Sequence, residues 1–221
     1  AMTKIATKKS LAIVLLGLFI SLSALISQSV ADELRGTGDL GVIVERATGT
    51  LQIIETTTRT RLATIEGLGD LSHASAVYSR DERYAYIFGR DGGLTKVDIL
   101  KQKIDKRIVQ GGNSIGGAIS QDGSLVAVSN YEPGGVKIFD SSTLELVADI
   151  PAIGADGAPS KTVGLVDAPG QKFIYGLYDS GEIWVVDMTD KSNPAITKFL
   201  DIGKLPYDGL ITSDGRYYVA G

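Results

Sequence analysis

A unit that recurs every 42 to 47 residues constrains this chain more than any other feature of its sequence. In each copy a glycine opens a short apolar run that an acidic residue closes. The copies are Gly49–Glu55, Gly93–Asp98, Gly135–Asp140 and Gly181–Asp187. The closing acids at 55, 98, 140 and 187 are therefore 43, 42 and 47 residues apart. Since apolar and polar residues alternate over residues 32–221 and show no helical period, each copy predicts a short β-strand.

A second apolar strand follows a polar turn in each copy of the repeat. These turns start at Ser79, Ser120, Asp167 and Ser213. A further strand comes after the closing acid, as in Arg61–Glu66 and Leu146–Ile150. Four short strands per copy, at a period of about 40–50 residues, are typical of β-propeller blades, which bury their apolar faces against one another. The sequence therefore predicts an all-β propeller.

The number of copies predicts only part of a propeller ring. Residues 32–221 hold four to four and a half copies, and the sequence stops at Tyr217–Gly221 inside a predicted strand. A ring that stopped there would leave an open strand edge, which invites aggregation. We therefore expect the amino-terminal half of a longer propeller, with an unusual complete four-bladed ring as the alternative.

The amino terminus has the pattern of an export signal. A basic segment with three lysines precedes the apolar run Leu11–Ile26, and the small residues Ser29–Ala31 follow it. This pattern predicts a signal peptide over residues 1–31, a mature domain over 32–221 and a periplasmic location. The alternative, a membrane anchor, is disfavoured because a spanning helix needs about 20 apolar residues.

Charge and cysteine content exclude several classes of function. The net charge is −4, and it becomes −7 without residues 1–31, which hold three lysines and no acid. Nucleic-acid binding is therefore not expected, because it needs clustered basic residues. The chain has no cysteine and one histidine, which excludes zinc sites of the Cys/His type and Cys/His nucleophile pairs within this stretch.

Two glycine-rich segments invite a ligand-binding interpretation. Gly36–Gly41 matches the dinucleotide fingerprint, but Val42–Val44 behind it is typical of a strand rather than a helix. A turn that leads into the first blade is the better interpretation. Gly111–Gly117 is predicted to be a loop between blades, whose bare backbone would let a flat ligand approach closely.

His73 is the only histidine, and it lies on a predicted connection between two blades. In many propellers such connections line the central funnel. A lone histidine on a loop is compatible with a surface residue, a hydrogen-bonded residue or a ligand, and its chemistry alone leaves these open.

A resemblance to known proteins bears on this choice. His73–Asp91 resembles the heme-binding segment of the d1 domain of cd-type nitrite reductases, in which a histidine opens a strand pair and Gly-Arg-Asp closes it. Three further runs are similar to the NirF family of heme d1 biosynthesis: Leu34–Gly41, Gly67–Ser75 and Ser129–Lys137. The similarity extends over residues 34–221 and implies an eight-bladed propeller, in agreement with the partial ring.

The resemblance implies a ligand, heme d1 or a dihydro or other precursor form, and a set of residues that hold it. His73 would be the iron ligand, and Arg46 and Arg90 would contact the carboxylates of the macrocycle. Asn113 and Tyr131 are further candidates for binding the ligand. Nitrite reductase and other heme d1 maturation proteins are the implied protein partners.

Two residues are the candidates for a catalytic role. Tyr207 stands where the resemblance places the distal histidine of the nitrite reductases, and Asp91 would either orient Arg90 or cap a turn. A phenol, with a pKa of about 10, is a poorer proton donor than an imidazolium near 6.5, so nitrite reduction is not expected. A c-type heme motif would require cysteine.

Three functions remain open at this stage. The first is a protein that oxidises a late tetrapyrrole, with the iron or an external acceptor taking the electrons. The second is a carrier that delivers heme d1 without chemistry. The third is a propeller that serves only as an interaction scaffold.

Overall fold

The computed structural model describes residues 36–221, and the compact unit over Gly38–Gly221 is described below. The predicted signal peptide, residues 1–31, lies outside the described residues. Within residues 36–221 the regular structure consists of seventeen strands, and no helix there is long and apolar enough to cross a membrane.

The strands form five antiparallel sheets, each a meander in chain order, which we call blades 1 to 5. Blade 1 consists of β1 (Leu40–Glu45), β2 (Thr50–Glu55) and β3 (Thr60–Ile65). Blade 2 consists of β4 (Ser75–Tyr78), β5 (Tyr84–Phe88), β6 (Gly93–Asp98) and β7 (Lys103–Val109). Blade 3 consists of β8 (Ser114–Ile119), β9 (Leu125–Asn130), β10 (Val136–Asp140) and β11 (Leu146–Ile150). Blade 4 consists of β12 (Thr162–Ala168), β13 (Lys172–Leu177), β14 (Glu182–Asp187) and β15 (Ala195–Phe199), and blade 5 of β16 (Gly209–Ile211) and β17 (Tyr218–Ala220).

The closing acids have the structural role that the repeat suggested. In blades 2, 3 and 4 the acid ends the third strand, at Asp98, Asp140 and Asp187, and in the three-stranded blade 1 Glu55 ends β2, the second strand. Their carboxylates then accept hydrogen bonds from backbone N–H groups of the following turn; Asp140 Oδ1, for example, accepts from Ser142 N and Thr143 N at 2.9 and 2.8 Å. Such hydrogen bonds within the turn fix where the next strand begins.

The polar turns repeat in the same way. In blade 3, Ser120 Oγ donates to Asp122 Oδ1 at 2.7 Å and accepts from Leu125 N at 3.0 Å, so one hydroxyl closes the hairpin from both sides. Blades 2 and 5 have the same arrangement at Ser79 and Thr212, the latter one residue before the predicted Ser213. Burial opposes ionisation of Asp122, but hydrogen bonds from Ser124 and Ser120 prevail and lower its pKa to about 2.

The core lies between successive blades. Buried apolar side chains form three clusters, one each between blades 1 and 2, blades 2 and 3, and blades 3 and 4. The inner strands β4, β8, β12 and β16 are neighbours in that order. Gly117 on β8 shows how close they come, because an added Cβ would overlap the ring of Phe88.

The meander decides which segments share one end of the blades. In each four-stranded blade the turn between the second and third strands lies at the same end as the connection to the next blade, which we call the upper end; in blade 1 the turn between β1 and β2 lies at this end. All seven predicted site residues fall on such segments. They are Arg46, His73, Arg90, Asp91, Asn113, Tyr131 and Tyr207.

Two expectations about the glycine-rich segments can be compared with the structure. Gly36–Asp39 precedes strand β1 as a turn, which confirms the interpretation of the first segment. The second prediction was wrong in part, because only residues 110–113 connect the blades and β8 begins at Ser114. Gly116 and Gly117 are strand residues, and the close packing of Gly117 on Phe88 explains why glycine stands in a strand.

Candidate functional site

A cavity of about 230 Å³ opens between the inner strands at the upper end of the blades. Its lining combines His73 and Ser75 of blade 2 with residues of the next three blades. These include Gly116 and Ser129 of blade 3, Gly164 of blade 4 and Tyr207 ahead of blade 5. The two residues that the sequence suggested for opposite sides of an iron, His73 and Tyr207, therefore line one cavity.

The position of His73 follows from a local departure from the blade repeat. In blades 3 and 4 the residue after the second strand donates its N–H to the carbonyl just before the first strand: Tyr131 N to Asn113 O at 2.8 Å, and Tyr178 N to Lys161 O at 2.9 Å. In blade 2 the corresponding hydrogen bond runs from Arg90 N to Asp70 O at 2.8 Å.

Between that carbonyl and the first strand, blade 2 has four residues where blades 3 and 4 have none. They are residues 71–74, because β4 begins at Ser75 whereas β8 and β12 directly follow Asn113 and Lys161. Leu71 and Ala74 are buried in the cluster between blades 1 and 2 and hold the segment at both ends. His73 therefore sits on a short bulge with anchored ends, directed at the cavity.

Buried polar atoms without partners mark the site. His73 Nδ1 and Ser75 Oγ are buried and have no hydrogen-bond partner among the described residues. An unsatisfied buried polar atom costs about 1–3 kcal/mol, so such atoms indicate that a ligand or another group completes the site. An imidazole with an unpartnered ring nitrogen and a glycine at Gly116 in the cavity wall fit an iron tetrapyrrole.

Two arginines stand near His73 with their charge free. Arg46 and Arg90 are exposed, and neither makes an ion pair with any residue in the described part of the chain. Arg46 Nη2 donates to the carbonyl of Ala74, the residue after His73, at 3.4 Å. The pKa of Asp70 is lowered mainly by the hydrogen bond from the Ser72 side chain, and the charge of Arg90 lowers it further. Neither arginine is among the residues that line the cavity of His73, so both lie outside its immediate wall.

Both carboxylate oxygens of Asp91 bind the protein. Its Oδ2 forms a 2.6 Å ion pair with Arg107 Nη2, and its Oδ1 accepts from Gly93 N at 2.9 Å. The hydrogen bond to Gly93 caps the turn that Asp91 begins, which is one of the two roles considered for it. A catalytic role for Asp91 stays a prediction.

An aromatic and cationic group borders the cavity beside Tyr207. The Tyr207 ring makes an edge contact with Tyr178, with 5.9 Å between centroids. Lys161 Nζ lies 5.6 Å from the centre of the Tyr178 ring and 5.7 Å from that of Tyr131, and it pairs with Asp179 at 3.0 Å. Hydrogen bonding to Asp179 raises the pKa of Lys161, which keeps this ammonium charged.

Sequence reasoning missed Tyr178 and Lys161, although the repeat contained a signal for Tyr178. Tyr178 occupies in blade 4 the place of Arg90 and Tyr131, and Lys161 occupies the place of Asp70 and Asn113. An alignment of the blades on their closing acids places Tyr178 with Tyr131, both nine residues before the acid, whereas Lys161 and Asn113 lie 26 and 27 residues before theirs. Asn113 contributes a further buried and unpartnered atom, its Oδ1, among the described residues.

The metal assignment depends on His73 alone. Within residues 36–221, no three His, Asp or Glu side chains converge in a way that could hold a metal ion. A single imidazole is the arrangement by which proteins hold a metal whose other ligands belong to a macrocycle.

Comparisons with known proteins agree with this arrangement. Residues 35–221 match the family described as the Cytochrome D1 heme domain. Protein NirF of Pseudomonas aeruginosa is 68% identical over 190 residues, which are 85% of this chain and 48% of that protein. The chain thus spans about half the length of this curated relative.

Two solved structures are similar to this chain in fold. The dihydro-heme d1 dehydrogenase NirN, solved in complex with DHE, superposes with a TM-score of 0.74 at 27% identity and covers 83% of this chain and 39% of its own. The β-propeller domain of Cps50 (Swd1) from Myceliophteria thermophila gives a TM-score of 0.70 at 16% identity, over 85% of this chain and 61% of its own. The sheets described above are accordingly blades of a β-propeller.

Proposed function

Because this chain belongs to the NirF family within the Cytochrome D1 heme domain proteins, we propose that its cavity binds a late d1-type tetrapyrrole in the periplasm. A role in the biosynthesis or handling of heme d1 follows from the family, whereas the ligand's exact form and fate are our proposal. The observation that carries it is the meeting of His73 and Tyr207, from different blades, in one cavity.

In this proposal His73 holds the iron with a neutral imidazole nitrogen. The bulge 71–74 orients the ring, since Leu71 and Ala74 are fixed in the core. When bound, the iron macrocycle would supply redox chemistry that no side chain here provides. Gly116 and Gly164 leave room for a flat ring edge, because they present backbone without side chains toward the cavity.

The carboxylates of the macrocycle would be recognised by cations around the rim. Arg46 and Arg90 offer planar guanidinium forks, which bind carboxylates through paired hydrogen bonds. Lys161 adds a third positive charge on the side of Tyr131 and Tyr178. A cavity of 230 Å³ is smaller than the volume of about 300–1,000 Å³ typical of organic-ligand sites, so we expect it to receive only part of the macrocycle.

Tyr207 decides what the site does with the bound ligand. It faces the cavity from the side opposite the bulge of His73, and its hydroxyl can donate to the macrocycle or contact the iron. Besides His73, the cavity lining includes only Tyr207 and Asp208 as titratable side chains. This sparse set favours oxidation driven by an external acceptor, or a carrier that delivers the ligand to nitrite reductase, over acid–base catalysis.

Spectral titration tests the binding proposal. Purified protein mixed with heme d1 should shift its Soret band, and His73→Ala should weaken binding at least tenfold and alter the shift, because the imidazole nitrogen that would hold the iron is lost. Ser72→Ala is the matched control, since Ser72 is exposed on the same bulge but does not line the cavity. Identical spectra and affinity for wild type and His73→Ala would contradict the proposal.

Mass spectrometry separates the enzyme from the carrier. If the protein is catalytic, a bound dihydro-heme d1 precursor should lose two hydrogen atoms. Its two electrons pass to an added electron acceptor, and its two protons are released. Tyr207→Phe should then slow the change in mass without loss of binding. A mass that stays constant with every acceptor tried assigns the protein as a carrier.

A further inference from the structure

A groove of about 450 Å³ lies on the outer side of the blades, away from the cavity of His73. It runs between β11, the outer strand of blade 3, and the strands β14 and β15 of blade 4. One end is formed by the turn of Lys191 and Pro194 at the lower end, and the other by Ile153 at the upper end. Its length is that of the five-residue strand β15, about 16 Å.

The floor of the groove is apolar. Val147, Ile150 and Ile196 line it, and the indole of Trp184 forms its base. Ile153 and Ile196 are 42% and 40% exposed, and a ligand lying in the groove would bury both side chains. Both faces of the groove come from four-stranded blades.

Two lysines provide the charge. Lys198 Nζ lies 3.9 Å from the centre of the Trp184 ring, and Lys191 Nζ donates to Ser124 Oγ at 3.1 Å. Neither ammonium lies within ion-pair distance of a carboxylate in the described part of the chain. The one acid of the groove, Asp149, already pairs with Lys137 at 3.7 Å. The groove therefore has an ammonium group without a direct ion pair at each end of an apolar floor, with only longer-range electrostatic interactions between Lys198 and Glu182 and between Lys191 and Asp140.

The backbone at the rim of the groove is also available. β11 and β15 each pair with a neighbour on one side only, so their outer N–H and C=O groups face away from the sheets. Edge strands of this kind bind extended peptides by main-chain hydrogen bonds, while alternate side chains enter the adjoining pockets.

From these observations we propose that the groove is a docking site for an extended segment of a partner polypeptide in which apolar residues are flanked by Asp or Glu. About five residues fill its length. The apolar side chains cover Ile196 and Trp184, and the acids at either end pair with Lys191 and Lys198. This interaction surface is independent of the tetrapyrrole site.

Peptide binding tests the proposal directly. The probe is a set of eight-residue fluorescent peptides in which a central run of Leu, Ile or Pro is flanked at both ends by Asp or Glu, with a matched set in which Lys replaces the acids. Anisotropy should show binding for members of the acidic set alone, with weaker binding as salt rises. Trp184 is the only tryptophan of the chain, so its emission reports whether the peptide occupies the groove.

Charge reversal supplies the control. The double variant K191E/K198E should lower the affinity for acidic peptides at least tenfold. K101E/K103E makes the same change in net charge on exposed lysines of blade 2 and should bind like wild type. Absence of binding by every acidic peptide, equal binding of the basic set, or unchanged affinity in K191E/K198E would each overturn the proposal. Heme d1 titration of the same variants should stay unchanged, which separates this test from that of the proposed function.

Discussion

Two buried tyrosines offer a sharp test of the packing described here. Tyr86 and Tyr175 lie on the second strands of blades 2 and 4 and are 2% and 0% exposed. Tyr86 Oη donates to the carbonyl of Ser141 at 2.7 Å, whereas the hydroxyl of Tyr175 has no partner among the described residues. The same substitution, tyrosine to phenylalanine, should therefore have opposite effects at the two positions.

The expected magnitudes follow from the hydrogen bonds. Tyr175→Phe removes an unsatisfied buried hydroxyl and should raise the free energy of unfolding by about 1 kcal/mol, with about 3 kcal/mol as the upper limit. Tyr86→Phe leaves the Ser141 carbonyl without its donor and should lower the free energy of unfolding by about 1–3 kcal/mol. For a domain of this size each kcal/mol shifts Tm by about 2–4 °C.

Thermal and urea unfolding followed by circular dichroism measures both effects. The two variants should have melting temperatures on opposite sides of the wild-type value. If Tyr175→Phe destabilises the protein as much as Tyr86→Phe does, then the Tyr175 hydroxyl has a partner, such as an ordered water, and the reasoning is refuted.

Two further predictions concern alkaline stability and the glycines of β8. Burial raises the pKa of Tyr86 and of Tyr218 to about 12, above the value of about 10 in the unfolded chain, so the folded state holds these protons more tightly. Their contribution to the free energy of unfolding is complete below pH 10 and is lost between about pH 10 and 12. Urea midpoints across this range should therefore fall in wild type and fall less in Tyr86→Phe. An equally steep fall in both proteins would contradict this. Gly117→Ala should cost about 1–3 kcal/mol because its Cβ overlaps the Phe88 ring, whereas Gly116→Ala, which meets only Ser75 Oγ at 3.4 Å, should keep the wild-type midpoint. Equal urea midpoints for the two alanine variants would show that the strand relaxes around the new methyl group.

The site illustrates how far sequence reasoning reaches. His73 and Tyr207 were predicted to face one ligand, and the structure places both in one cavity. The ion pair of Asp91 with Arg107 could not be read from the sequence, because β7 brings Arg107 to this carboxylate from 16 residues away. Tyr178 and Lys161 were overlooked because their neighbours in space come from different blades.

The sequence by itself determined the repeat, and with it the fold. A closing acid hydrogen-bonds the turn that follows it, and a hydroxyl closes the hairpin beside it, so the hairpins are specified by residues a few positions apart. Local hydrogen bonds of this kind leave a direct pattern in the chain. The strand ends at 55, 98, 140 and 187 were predictable for that reason.

The tertiary structure alone decided which side chains meet. The bulge 71–74 exists because Leu71 and Ala74 are buried between two blades, and its direction depends on packing that no local pattern encodes. The cavity of His73 and the groove of Trp184 both lie where separate blades adjoin. Contacts between blades join residues far apart in the chain, such as Gly117 with Phe88 and Tyr86 with Ser141, and only the packing of sheet against sheet sets their distance.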